Sequence, residues 1–428
     1  MSGRIELEYG FTVPRGGPTP LESDPMKVLV LGDFSHSASS QKDKPLSECR
    51  IRTLDIDNLD SLLGQLAPTL DLQLDGGVKV SFSEMEDFHP DRLYQRLTVF
   101  DELRDIRKRL SDSQTFAQAA AQLRSMLQTA PGETPPKTAD KEATAINEDD
   151  HSTFERLLGN PATTDQSSPH QHTRSAVERL IGEAIKDQIV AEATPEQHVY
   201  TTAAEDAAGT LMRKILQHPD FKALEALWRG LEFLVRRIEL DENLQLFICD
   251  VSREELFNDL QQAGDDLEQS GLFQRLVTQG VLTPGNSPWS LIVGAYTFDA
   301  SADDISTLAA LGTISAQAGG TFLAAASPTI LGCASLPDTP DPHDWEPDSQ
   351  VSENWDALRK NRIAPWIGLA LPRMLMRLPY GESTDEIEAF RFEEISTPGK
   401  VDELLWGNPA FACAQLIAQG FTERGWQM

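Results

Sequence analysis

An α/β fold is predicted for this chain: a small α/β domain joined by a polar linker to a larger α/β domain whose mainly parallel or mixed sheet is flanked by helices. Three observations predict it. Short continuous apolar runs, as at 244–248, 290–294, 321–325 and 366–370, alternate with helical stretches in the second half. Strands that are apolar on both faces and separated by helices imply a largely parallel sheet covered on both sides. The first half repeats the mixture on a smaller scale. Between them Pro131, Pro135, Pro136, Pro161 and Pro169 punctuate a polar, acidic stretch with few large apolar residues, the composition of a linker. The expected divisions are 1–128, 129–173 and 174–428.

Taken in order, Ile5, Leu7 and Tyr9 alternate with Glu6 and Glu8, a short strand with one apolar face. Residues 27–34 form a buried strand ending in a turn. Asp57 is placed to cap a helix carrying Leu59, Leu62, Leu63 and Leu66 on one face. Leu70, Leu72 and Leu74, then Asp75-Gly76-Gly77, then Val78, Val80 and Phe82 give a hairpin, because glycine accepts the positive φ of such turns. Pro90 suits a first helical turn, and Phe100, Leu103, Ile106 and Leu110 continue the helical pattern. Asp87 or His89 is expected to cap a helix within a solvated turn.

Within the linker, Phe154, Leu157 and Leu158 share one helical face, and Gly159 is placed to end it. So short a helix is marginal alone and persists only when docked. Two helices follow from 174; Phe221, Leu224, Leu227, Trp228, Leu231, Leu234, Val235 and Ile238 form a wide stripe that reads as core. Ser252 is placed to cap the helix after the 244–248 strand.

A chain of 428 residues, 40% hydrophobic, is large enough for two or three domains. Its net charge of −30 disfavours nucleic acid and anionic membrane surfaces, which repel a polyanion. No run reaches 18 uncharged apolar residues and the N-terminus has no apolar signal region, so no membrane insertion is expected. Cys49, Cys249, Cys333 and Cys413 form no CxxC pair and read as reduced thiols of a cytoplasmic protein, Cys249 as a small buried hydrophobe.

Catalytic, cofactor-binding and metal-binding residues are not expected. The chain has no phosphate loop, dinucleotide fingerprint, zinc-protease helix motif or nucleophile elbow. Residues 55–60 suggest a calcium loop only weakly: Asp60 stands where glycine is needed and Leu66 where a bidentate Glu is needed. His170 and His172 lack further ligands, and His218, before Pro219, reads as a helix C-terminal residue. Arg373 and Arg377 are expected to pair with one of Glu382, Asp385, Glu388 or Glu393. Nothing assembles a nucleophile, base and oxyanion site, so the chain is not expected to be an enzyme.

The most specific segments are Leu31-Gly32-Asp33-Phe34-Ser35, Ile56-Asp57-Asn58-Leu59-Asp60 and Phe82-Ser83-Glu84-Met85-Glu86-Asp87-Phe88-His89-Pro90-Asp91 in the first half. In the second half they are the run from Ile215 through His218-Pro219-Asp220-Phe221 to Trp228-Arg229-Gly230-Leu231, then Leu371-Pro372-Arg373, Arg377-Leu378-Pro379-Tyr380-Gly381 and Leu405-Trp406-Gly407-Asn408-Pro409. The first set resembles the small subunit (TssB/VipA-like) and the second the large subunit (TssC/VipB-like) of the bacterial type VI secretion contractile sheath. The resemblance implies a fusion of two partners into one non-enzymatic structural chain, with the large-subunit part lacking the family's C-terminal lobe. It further implies sheath or baseplate proteins as partners, and a role as a sheath-derived end cap or baseplate adaptor. The alternative it leaves is a soluble regulatory mimic that binds sheath subunits or the sheath-recycling AAA+ ATPase. The strand at Ile5, Leu7 and Tyr9 would serve as an exchanged strand, and Phe154, Leu157 and Leu158 lie where the ATPase-binding helix would be. These six are the expected protein-interaction residues.

Overall fold

The structure is a computed structural model; it describes Pro18 and residues 21–36, 45–74, 77–112, 114–121, 197–397 and 399–428. The expected interaction residues Ile5, Leu7, Tyr9, Phe154, Leu157 and Leu158 lie outside the described residues. The chain divides into two units, one drawn from Met1–Leu72, Lys79–Arg96 and Met212–Met428, the other from Gln73–Val78 and Leu97–Leu211.

The fold is α/β, and the first unit is built on a six-stranded, mostly parallel sheet in the order β2-β5-β1-β6-β7-β8. Its strands are β1 (Met26–Gly32), β2 (Ile51–Leu54), β5 (Leu244–Asp250), β6 (Leu291–Phe298), β7 (Thr321–Ala326) and β8 (Ile367–Ala370). The short strands β3 (Thr69–Leu72) and β4 (Val78–Ser81) form a separate two-stranded sheet, and Gly77 before β4 has φ +66, in the left-handed region that favours glycine. Strand β1 is interior. It runs parallel to β5 from Met26↔Leu244 to Gly32↔Asp250, and parallel to β6 from Val28↔Leu291 to Leu31↔Gly294. Edge strand β2 is antiparallel to β5.

Successive strand side chains point to opposite faces, and both faces here are buried. Leu29, Leu31, Ile292, Phe322 and Ala324 belong to one cluster with residues of helices α6 (Arg253–Ala263), α7 (Ala302–Ala318) and α8 (Ser349–Lys360). The alternate residues Val28, Val30, Val293 and Ala325 are also buried. Helix α9 (Ala410–Arg424) packs against β1, β6, β7 and β8 and against α5 (Pro219–Arg237). Where α5 and α9 meet, a Cβ on Gly230 would overlap the Phe411 ring, so glycine sets the approach of the two helices.

Smaller helices complete the first unit: α1 (Leu59–Leu66) and α2 (Pro90–Arg96). In the second unit, α3 (Asp101–Ser111) buries Leu103, Ile106 and Leu110. Helix α4 (Gln197–Leu216) contributes Tyr200, Ala203, Ala204, Ala207 and Ala208 there, with Phe116 edge-on to Tyr200 at 5.8 Å and Arg107 Nε 3.2 Å from Glu205 Oε1.

Several local expectations are corrected. Asp57 does not cap α1: Asn58 holds the cap position without a side-chain bond, while Asp55 Oδ1 accepts from the Asp57 and Asn58 amides, each at 2.9 Å. A turn closed by Asp55 competes successfully with a cap from Asp57. His218 is not a helix C-terminal residue but the N-cap of α5, with ψ 132 and its Nδ1 accepting from Asp220 N at 3.3 Å. The proline after it drives it to extended backbone, the geometry of an N-cap. Cys49 and Cys249 are not separate thiols; they are bonded, with Cα atoms 6.6 Å apart. The register Ile51↔Cys249 delivers Cys49 to its partner across 200 residues of sequence, which cysteine spacing does not disclose.

Candidate functional site: the junction of the two motif sets

Among the described residues no group of three or more His, Cys, Asp or Glu is placed to hold a metal ion, and no helix is long and apolar enough to cross a membrane. What the sequence motifs do build is a junction within the first unit, made from both halves of the chain.

The turn after β1 is held from two directions. Asp250 Oδ1, at the end of β5, accepts from the Phe34 and Ser35 amides at 2.8 and 3.0 Å. Trp228 on α5 is fully buried; its Nε1 donates to Phe34 O at 3.2 Å and its ring meets Phe34 edge-on at 5.8 Å. Gly32 keeps this approach open, since a Cβ there would lie 3.1 Å from Leu227 Cδ1 and 3.3 Å from Ala295 Cβ. The indole thus satisfies both the packing and the hydrogen-bonding needs of a buried tryptophan.

The segment from Phe82 to Tyr94 makes the second set of contacts. Phe82 stacks on Phe88 at 4.3 Å, and both rings reach Phe221 of α5, at 5.8 and 5.9 Å. His89 meets Tyr380 edge-on at 5.0 Å, and Tyr94 meets Phe390 at 4.9 Å. Asp91 accepts from two consecutive amides, Glu388 at 3.0 Å and Ala389 at 2.9 Å, so one carboxylate fastens a loop from the far half of the chain. The acidic residues were expected in a solvated turn; Asp87 is instead only 3% exposed and pairs with Arg96. It also accepts from Ser83 N and Oγ, at 2.7 and 2.9 Å. Burial alone would raise its carboxyl, but the Arg96 and Ser83 hydrogen bonds outweigh burial and hold it below the usual range. His89 does act as expected, its Nδ1 accepting from Asp91 N at 3.2 Å.

Behind this contact lies a buried ion network. Arg377 forks onto Glu225 of α5, with Nε–Oε1 2.7 Å and Nη2–Oε2 3.1 Å. It also binds Glu394, with Nη1–Oε2 2.6 Å and Nη2–Oε1 3.0 Å. Arg229 donates to Glu225 Oε1 at 2.8 Å and to Tyr380 Oη at 3.1 Å. Glu394 also accepts from Tyr380 N at 2.9 Å, and the Arg377 guanidinium lies 4.1 Å from the Tyr380 ring centroid. Glu225 is fully buried. Burial would raise its carboxyl, yet the charges of Arg377 and Arg229 and their hydrogen bonds outweigh it and hold it below the ordinary carboxylate range. Burial pushes the Tyr380 hydroxyl up, reinforced by Glu225 and opposed by the two arginines. Two bidentate pairs on one guanidinium fix the angle between α5 and the loop carrying Tyr380.

The partners expected for Arg377 and Arg373 are therefore corrected: Arg377 pairs with Glu225 and Glu394, and Arg373 with Asp402 at 3.4 Å. Sequence reasoning missed Glu225, Glu394 and Asp91. For Glu225 a signal was present. It sits four residues after Phe221 and three before Trp228, so it lies on the buried stripe of α5, where a lone carboxylate demands a cation. The last motif works similarly: Asn408 Nδ2 donates to Tyr296 O at 2.9 Å, tying the start of α9 to β6.

A sheet shared by two sequence regions, with their distinctive residues meeting at a side-chain junction, defines a two-part structural scaffold. Residues 202–428 match the family model described as EvpB/VC_A0108, tail sheath N-terminal domain, and residues 2–137 match that of the type VI secretion system protein VipA (VC_A0107 or Hcp2). The chain belongs to the type VI secretion sheath family, as a fusion of a small-subunit (TssB/VipA-like) region with a large-subunit (TssC/VipB-like) region. It is 37% identical over 228 residues to the type VI secretion system sheath protein TssC1 of Pseudomonas aeruginosa, a match covering 52% of this chain and 46% of that protein. The chain thus spans about half the length of that relative.

Proposed function

We propose that this chain is a non-enzymatic structural component of a type VI secretion sheath apparatus, a sheath-derived end cap or baseplate adaptor that works in the cytoplasm through contacts with sheath or baseplate proteins. The observation that carries the structural reading is the seat of β1 between β5 and β6, together with the Glu225–Arg377–Glu394 network beside it. The buried carboxylates and arginines saturate one another, which is the arrangement of a rigid scaffold and not of a site poised for proton transfer. The net charge of −30 supports a component that joins other proteins over one that packs densely with itself, an effect that salt weakens beyond a Debye length of about 8 Å at physiological ionic strength.

Negative-stain electron microscopy of the purified chain, alone and mixed with preformed sheaths, at high concentration and physiological salt tests the reading. The expected images show discrete particles that attach to the ends of preformed sheaths. Regular tubes formed by this chain alone would assign it to the sheath wall instead.

A further inference from the structure

We propose that Cys49 and Cys249 form a thiol–disulfide switch that covalently ties the small-subunit-like region to the large-subunit-like region. The inference uses the family reading only to name the two regions; Cys49 falls within residues 2–137 and Cys249 within 202–428. The fold brings them together by backbone register. Cys49 follows the short helix Leu46–Glu48 and leads into edge strand β2, whose Ile51 lies opposite Cys249 of β5. Their Cα atoms are 6.6 Å apart, within the range a disulfide spans.

The two sulfurs differ in access. Cys249 is fully buried, whereas Cys49 is half-buried and borders a cavity of about 200 Å³ that Glu48, Arg50, Arg52, Asp250 and Glu255 also line. Chemistry therefore starts at Cys49. Its thiolate attacks one sulfur of a low-molecular-weight disulfide, forming a mixed disulfide and expelling one small thiolate. Cys249, deprotonated, then attacks Cys49 Sγ and expels the second. Two protein thiols are oxidised, one small disulfide is reduced to two thiols, and two protons are released and taken up in balance. A small thiol entering at Cys49 reverses the sequence. Cys333 and Cys413 are free and take no part.

Closed, the tie prevents β2 and the segment before it from leaving β5, so neither region can be exchanged for that of another copy. Open, the two regions remain covalently joined only through the polypeptide between them, and packing, hydrogen bonds and ion pairing hold their contact.

The test uses the full chain with a site-specific protease sequence inserted in the 129–173 segment. The protein is equilibrated with oxidised glutathione or with dithiothreitol, alkylated, cut, and run on a denaturing gel without reductant, with peptide mass spectrometry of the products. After oxidation the expected product is one linked species containing the Cys49 and Cys249 peptides; after reduction it is two fragments. Cys49→Ser is expected to give two fragments under both conditions, with a melting curve showing that it is folded. The Cys333→Ser/Cys413→Ser variant is expected to stay linked after oxidation. Two fragments from the oxidised parent, or a linked species from Cys49→Ser, would overturn the switch while leaving the sheath reading standing.

Discussion

Strand β1 and the segment from Phe82 to Tyr94 meet the same partner region by opposite means. Strand β1 is held by a ladder of main-chain hydrogen bonds to β5 and β6, and its central side chains, Val28 to Leu31, are buried aliphatics. The Phe82–Tyr94 segment is held by particular side chains: stacked rings on Phe221, one carboxylate across two amides, and a histidine against Tyr380. Backbone pairing places no demand on residue identity beyond apolarity. A ring stack or a two-amide carboxylate tolerates few replacements. Tight recognition by side chains therefore leaves a readable trace in the sequence, and sheet insertion leaves almost none.

The contrast can be broken by mutation. The largest effects are expected at the side-chain junction. Arg377→Ala leaves Glu225 and Glu394 buried without their shared cation, and removal of one partner from a buried pair costs about 3–5 kcal/mol. Trp228→Ala is expected in the same range, about 3–5 kcal/mol, for loss of a fully buried aromatic. Chemical denaturation measures both, and parent-like midpoints would show that neither side chain holds the junction. Gly230→Ala is expected to cost about 1–3 kcal/mol by forcing α5 and α9 apart at Phe411. Asp91→Ala removes the charged acceptor of the Glu388 and Ala389 amides, a loss of about 1–3 kcal/mol that should also speed amide exchange at those two positions. The smallest effect is expected in the ladder: Leu29→Met, a volume-conserving change on β1, should cost less than about 1.5 kcal/mol. A larger loss there than at Asp91 would invert the comparison.

Acid should weaken the side-chain junction first. Glu225 and Asp87 have folded pKa values below their ordinary 4.5 and 3.8, so their stabilisation is fully present above those values and is lost as pH falls through the folded ones. Asp33 works in the opposite sense: burial raises it above 3.8, with His36 opposing and Asp250 reinforcing, so its protonation on acidification relieves a cost. Stability measured from pH 6 downward should therefore fall in the parent and fall less steeply in a Glu225→Gln variant, whose remaining difference removes one carboxylate from the balance.

The same contrast explains what was legible. The apolar runs that became β5, β6, β7 and β8, the Ser252 cap and the hairpin between Leu70 and Phe82 are local signals, and each appears where periodicity places it. The motif residues Trp228, His89 and Arg377 could be singled out, because side-chain recognition had marked them. Which residue each one meets could not. Arg377 finds Glu225 across 152 positions and Cys49 finds Cys249 across 200, distances over which no periodicity operates. Nor does any residue of β1 announce that it sits between β5 and β6. His218 misled because the helix it borders on one side ends two residues earlier, at Leu216, while its ring serves the helix on the other.

The described residues of 26–72, 79–96 and 212–428 form one folded unit through the sheet and the motif junction, whatever joins them in sequence. This unity is tested most directly by cutting the protease site in the 129–173 segment under reducing conditions and sizing the native product at low and at high salt. The two fragments are expected to co-elute as one particle at both salt concentrations and to unfold in a single cooperative transition. Separate elution of folded fragments would contradict it.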